Sequence, residues 1–340
     1  MFLTQRTMKV VVEGEHSEEV TVDSGVPQGT VLGPILFLCH INDLPDSVKS
    51  SVRLFADDCL LYRNIKTAND HNILQADLQK LEKWAEDWGM RFNAKKCYIM
   101  NIRSKINKFY SLNNHVLQQV HNNPYLGIQI SEDLKWTTHI ANVTKKANST
   151  LGFLRRNLKY CPQSCKKLAY ISLVRSTMEY GATVWDPYNI GDINKLERVQ
   201  RQAARFITGD YKSRDEGCVT RMLTKLQLEE LKDRRTSQRL LFLYKVVEGL
   251  VPAIETEEFL KPARQKRLIK AKTFSDCQTI NIVDKQVRNN SKCFVVPPSK
   301  TQQYSNSFFV RTIIEWNQLN DTTVKSTSVE SFKSALAGDR

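Results

Sequence analysis

The chain has 340 residues, 41% of them apolar, and carries 50 basic against 36 acidic side chains for a net charge of +14. That size and apolar share allow a sizeable core in two domains, or in one domain with a long helical extension. The charge favours a polyanionic partner through counterion release, while the lack of a long apolar run and of a charged-then-apolar leader over residues 1–7 points to an intracellular protein with no membrane partner. The eight cysteines are scattered singly except for Cys161-x3-Cys165, which has no histidine pair nearby. A reduced compartment accounts for them better than a zinc site.

Residues 8–22 alternate apolar and polar around Gly14, which predicts a short hairpin with its turn near Glu13 to His16. The hairpin delivers the loop Gly25-Val26-Pro27-Gln28-Gly29. Its glycines permit unusual dihedrals and close approach, Pro27 stiffens it, and the Gln28 amide offers hydrogen bonds to a base or sugar edge. Val31 to Ile41 is apolar almost throughout and predicts a buried helix with Pro34 in its first turn. Val52 to Tyr62 predicts two strands with Asp57 and Asp58 at the turn between packed flanks. Two carboxylates among Val52, Leu54, Leu60 and Leu61 need a compensating charge, and Mg²⁺ prefers carboxylate oxygens with waters and substrate phosphates. Taken alone, the pair also suits an exposed turn.

Leu74, Leu78, Leu81, Ala85 and Trp88 mark one face of an amphipathic helix, which places Trp84 and Trp88 in the core rather than on a stacking platform. Strands are predicted through Cys97 to Ile102 and Tyr125 to Ile130. Beyond Trp136 the period is helical, through Ile140 to Leu154 and Leu168 to Met178 with Pro162 between them, then over Asp192 to Thr208 and Val219 to Val247. Lys195, Arg198, Arg201 and Arg205 fall along one side of the Asp192 to Thr208 segment, as either a phosphate-following face or a solvated one. Lys261, Arg264, Lys266, Arg267, Lys270 and Lys272 suit a nucleic-acid or nuclear-import tail, or a linker. A mixed α/β half thus ends near residue 132, and a mostly helical half follows.

The order of several motifs resembles the palm of reverse transcriptases, specifically those of non-LTR (LINE-like, jockey-type) retrotransposons. Ser24 to Pro34 (SGVPQGTVLGP) with Ile41-Asn42-Asp43-Leu44-Pro45 is similar to the second palm motif, and Phe55-Ala56-Asp57-Asp58 to the metal-binding third. Trp84, Trp88, Met90, Asn93, Lys96 and Cys97 resemble the fourth. Tyr125-Leu126-Gly127, followed by Leu134, Trp136 and His139, resembles the primer grip and the start of the thumb. Arg311 to Asn317 and Ser331-Phe332-Lys333 resemble the closing segment of such a reading frame.

The resemblance implies a partial palm with an antiparallel sheet over residues 1–132, thumb-like helices over 133–180, a basic helical extension over 181–260, and a basic linker with a carboxy-terminal segment over 261–340. It implies Asp57 and Asp58 as ligands of Mg²⁺ or Mn²⁺ in two-metal nucleotidyl transfer. Lys96 would lie near the leaving phosphates, unless it is a solvated surface lysine. Gly25, Pro27, Gln28, Gly29, Phe55 and Ala56 would face template and incoming nucleotide, and Tyr125, Leu126 and Gly127 the primer end. The implied partners are an RNA template, a DNA primer and deoxynucleoside triphosphates, in a nuclear and cytoplasmic ribonucleoprotein. The family draws a further aspartate from a first motif ahead of this region, yet only 24 residues precede Gly25 and Asp23 is their sole aspartate. The expectation is therefore a polymerase segment that starts after its first catalytic carboxylate and its fingers, weak or inactive by itself. Two rival readings are a non-catalytic nucleic-acid-binding protein that uses the basic helical half, and a decayed element copy.

Overall fold

Small two-stranded sheets and a larger complement of helices make up the chain, in a computed structural model that describes residues 3–103, 108–263 and 290–338. The basic positions Arg264, Lys266, Arg267, Lys270 and Lys272 lie outside the described residues. Two compact units are present, Met1–His121 and Asn122–Arg340.

In the first unit, β1 (Arg6–Met8) pairs antiparallel with β4 (Val20–Val22), and β2 (Val11–Val12) with β3 (Glu15–His16). Glu13 and Gly14 make the turn at φ of +51° and +93°, the backbone a tight hairpin requires. Helix α1 (Leu32–Ile41) follows with Pro34 in its first turn, but it is not the buried helix that its composition suggests. Only Gly33 and Ile41 are buried, while Val31, Leu32, Ile35 and Leu38 are exposed. A helix apolar on every side offers more surface than one neighbouring layer covers, and here Phe37 and Ile41 alone join the cluster around Val52, Leu81 and Trp84.

Strands β5 (Ser51–Phe55) and β6 (Asp58–Tyr62) pair antiparallel and send Val52, Leu54, Cys59 and Leu61 to that cluster. The 20-residue α2 (Ala68–Asp87) starts on a reciprocal Thr67/Asp70 capping box and buries Leu81, Trp84 and Ala85. Trp84 is core as its spacing predicts, whereas Trp88 is 45% exposed, since it stands just past the last helical residue and meets His40 edge-on instead. The same helix buries Asp77, a residue its pattern conceals. The Asp77 carboxylate accepts from the Lys49 and Ser50 backbone N–H groups and the Ser50 hydroxyl, at 3.1, 2.8 and 2.7 Å. Burial opposes its charge, yet these donors hold its pKa below the usual carboxylate range and fix α2 to the entry of β5. The strand predicted through residue 102 contracts to β7 (Tyr98–Ile99); β8 (Ser111–Leu112) pairs with β9 (His115–Val116), and β10 (Gln118–Gln119) runs parallel to β7.

The second unit opens with the hairpin β11 (Asn122–Tyr125) and β12 (Ile128–Ser131), so Tyr125 to Ile130 is a hairpin tip and its return strand rather than one strand. Helices α3 (Thr137–Asn157), α4 (Gln163–Ala169), α5 (Ser176–Glu179), α6 (Ala182–Trp185) and α7 (Ile190–Thr208) follow, with a π turn over Tyr170–Arg175. Ile140, Leu151, Val174, Met178, Trp185 and Leu196 are central to their shared core. The single helix expected over Val219 to Val247 is two, α8 (Cys218–Lys225) and α9 (Leu231–Val247), because the chain turns between them with Gln227 at φ +51°. A second core around Tyr244, Ile313, Trp316 and Phe332 joins α9 to α12 (Phe308–Trp316), α13 (Asp321–Val324) and α14 (Val329–Gly338), with the short α10 (Thr256–Phe259) and α11 (Gln302–Ser305) lying between α9 and α12 in sequence.

Candidate functional site

The loop before α1 is shaped by residues outside the Gly25–Gly29 stretch. Arg6 donates from Nη2 to the Ser24 and Gly25 carbonyls at 3.0 and 2.7 Å. Thr30 donates its hydroxyl to the Pro27 carbonyl at 2.8 Å and accepts from the Gly33 N–H at 3.1 Å. A Cβ on Gly33 would stand 2.8 Å from the Pro27 oxygen, so α1 lies against the loop only because residue 33 is glycine. Gly25 and Gly29 have φ of +74° and +78° with open space where a Cβ would go, so they serve backbone conformation rather than close packing. Gln28 is exposed beside them. Thr30 and Gly33 lie within the Ser24 to Pro34 motif, whereas no spacing in the sequence marks Arg6.

At the tip of the β5–β6 hairpin Phe55 pairs with Asp58, which leaves Ala56 and Asp57 as a two-residue turn. Ala56 has φ +49°, a left-handed conformation that costs a residue with a Cβ about 1–2 kcal/mol. Both aspartates are exposed, and Phe55 is 61% exposed on the hairpin face shared with Arg53, Asp58, Leu60 and Tyr62. The packed flank is therefore one face of the hairpin only, and the carboxylates meet solvent. Beneath the turn is a cavity of about 170 Å³ lined by Phe37, Leu54, Trp84 and Met90, with Ala56, Asp57 and Arg91 also contributing. Arg91 is thus brought to the aspartate turn, a neighbour that sequence spacing does not reveal. Beside Asp58, burial first and Cys97 second push the Cys59 thiol up to about 11, which leaves it a protonated packing group.

Two consecutive exposed carboxylates fit a cation that takes one or two protein oxygens and completes its shell with water and phosphate, as Mg²⁺ does. Among the described residues no group of three or more His, Cys, Asp or Glu side chains is placed to hold a metal ion. Lys96 ends a short 3₁₀ turn (Ala94–Lys96) and is exposed. Its neighbour Lys95, rather than Lys96, lines a second cavity of about 390 Å³ with Arg91, Asn93, Asn113 and His115.

In the second unit Leu126 and Gly127, at φ +49° and +78°, form the tip between the paired Tyr125 and Ile128. Along α7, Arg198 and Arg201 are exposed, but the other two basic residues are engaged. Lys195 pairs with Asp192 at 2.7 Å, and Arg205 donates to the Asp210 and Ser213 carbonyls at 3.2 and 3.0 Å, closing the loop after the helix. The continuous basic face thus reduces to Arg198 and Arg201, since Arg205 sits where the chain turns and its guanidinium satisfies that turn's carbonyls. No described helix is long and apolar enough to cross a membrane.

Residues 2–130 match the family model described as reverse transcriptase (RNA-dependent DNA polymerase). The RNA-directed DNA polymerase from mobile element jockey of Drosophila melanogaster is 30% identical over 224 residues, 61% of this chain and 24% of that protein. The probable RNA-directed DNA polymerases from transposon BS and transposon X-element of the same organism are 27% and 25% identical, each over 61% of this chain and over 25% and 24% of their own lengths. The chain therefore spans about a quarter of the length of the curated relatives it matches. The motif resemblance to non-LTR retrotransposon polymerases is borne out, over a region that contains both the Gly25–Gly29 loop and the aspartate turn.

Proposed function

We propose that this chain, whose residues 2–130 carry a reverse transcriptase domain, contributes the Asp57–Asp58 turn as a metal-holding wall of an RNA-directed DNA polymerase site. The observation that carries the reading is the placement of both carboxylates, exposed and adjacent, at the strained tip of a hairpin whose other face is anchored in a core. Asp57 and Asp58 hold a divalent cation in this reading. Divalent cations held there would supply a lowered pKa at the attacking primer hydroxyl and charge compensation at the leaving pyrophosphate. The Gly25–Gly29 loop presents backbone and the Gln28 amide to template and nucleotide, with Phe55 and Ala56 beside it. In this reading Arg91 and Lys95 supply positive charge, and Lys96 meets the leaving phosphates. Residues 1–132 act as palm and 133–180 as thumb, with Tyr125 to Gly127 against the primer end.

Nucleic-acid contact outside the palm is supported by Arg198 and Arg201, two exposed guanidinium groups three residues apart on α7. The RNA template and DNA primer are the partners this reading requires, with deoxynucleoside triphosphates as substrate. Primer extension on an RNA template with Mg²⁺, comparing the chain with Asp57→Ala, tests the assignment. Extension that depends on Asp57 is the expected result; equal extension by both removes Asp57 from the mechanism.

A further inference from the structure

From the surroundings of the β11–β12 tip we infer that Tyr180 is a positioning residue for the primer end, fixing the Tyr125–Gly127 turn through its hydroxyl and ring. This rests on the primer-contact role proposed for that turn. The Tyr180 hydroxyl donates to the Leu126 carbonyl at 3.1 Å, across 54 residues of chain. The ring lies against Gly127, where a Cβ would stand 3.2 Å from Tyr180 Cε1. One residue on, a Cβ at Gly181 would stand 2.8 Å from Ile128 Cδ1, so the segment meets the hairpin at two successive glycine contacts, one on each side. Gly127 and Gly181 both have positive φ, +78° and +60°, so each contact combines a backbone that favours glycine with a space that a methyl would crowd.

The clamp is itself held from behind. Trp185 donates its indole N–H to the Tyr180 carbonyl at 2.8 Å, and its ring packs edge-on to His139 at 5.0 Å between centroids. His139 Nδ1 in turn accepts from the Gln129 N–H in β12 at 3.1 Å, which closes a circuit from hairpin to helix and back. Trp185 is fully buried, whereas Tyr180 is 60% exposed. A tyrosine needed only for core packing would be buried. This one keeps its ring at the surface and spends its hydroxyl on the turn carbonyl.

The test has two arms on the full chain. Hydrogen exchange at the Gly127 and Ile128 amides should speed up about five- to tenfold in Tyr180→Phe, the loss of one hydrogen bond with the ring retained. Unchanged exchange overturns the clamp whatever the chain does to nucleic acid. In the second arm a DNA primer ending in 4-thiothymidine, annealed to RNA, is irradiated on the protein. The expected crosslink falls in residues 122–131 for the unsubstituted chain, keeps part of its yield in Tyr180→Phe, and drops at least tenfold in Tyr180→Ala with hybrid affinity within twofold. Equal yield from all three overturns the positioning role. A crosslink elsewhere in the unsubstituted chain overturns the primer-contact reading itself, and the exchange arm still decides the clamp.

Discussion

Asp186→Ala should destabilise the second unit by about 3–5 kcal/mol, the cost of leaving a buried charge without its counterion. The Asp186 side chain is 4% exposed and is ion-paired with Arg235 Nε at 2.6 Å, Arg239 Nε at 2.9 Å and Arg311 Nη1 at 3.3 Å. Glu315 is the second acid of the group, 2.8 Å from Arg239 and 3.7 Å from Arg311. Three guanidinium groups therefore share two carboxylates, and removal of Asp186 leaves two of the three still paired. Arg235 is the exception, because its side chain is 1% exposed and its Nη1 and Nη2 have no hydrogen-bond partner among the described residues. Its loss of the Asp186 contact strands a desolvated cation, and such a loss is a large part of the 5–15 kcal/mol that typical domains possess. Urea unfolding followed by far-ultraviolet circular dichroism measures the change, since this unit is mostly helical. Asp186→Ala/Arg235→Met should recover part of it, because the stranded cation is then absent. A loss below about 1 kcal/mol in the single variant, or no recovery in the double, refutes the reasoning.

Three further outcomes follow from the geometry. Gly33→Ala should push the Pro27 carbonyl away and loosen the 24–30 loop, seen as faster hydrogen exchange there, while an alanine at exposed Gly338, where nothing lies within 4 Å, should leave it unchanged. Burial lowers the pKa of His139, so the unfolded chain takes up its proton first as pH falls below about 6.5. Stability of the second unit should therefore decline from that pH downward and level off below the folded value, and His139→Gln should remove this component in pH-dependent unfolding. Charge reversal at Arg198 and Arg201 should weaken binding to an RNA–DNA hybrid and reduce the salt slope by about two, whereas Arg205→Ala should alter the 209–213 loop with little change in that slope.

How much of this was legible beforehand depended on whether a residue's role is local. The aspartate turn, the Glu13–Gly14 hairpin and the long amphipathic helices follow from periodicity and turn chemistry, because the residues that decide them are neighbours in sequence. The exposed face of α1 did not follow, since an apolar run does not say how many layers will cover it. Asp77 reads as a polar interruption in α2 until Lys49 and Ser50 are seen donating to it. Arg205 shares the spacing of Arg198 and Arg201, and only the loop after α7 shows that its guanidinium is spent on carbonyls. Tyr180 and Arg6 act through partners that are distant in sequence, and Arg91 lines the cavity beneath the aspartate turn, which no spacing rule reports.

The Asp57–Asp58 turn as a metal site is the central proposal for this chain. Mn²⁺ titration followed by electron paramagnetic resonance, with an RNA–DNA hybrid and a deoxynucleoside triphosphate present, measures that directly. The chain should bind Mn²⁺ more tightly than the mixture lacking protein, and Asp57→Ala/Asp58→Ala should lose the difference while retaining its helical circular dichroism. Equal Mn²⁺ binding by the folded double variant contradicts a metal site at this turn.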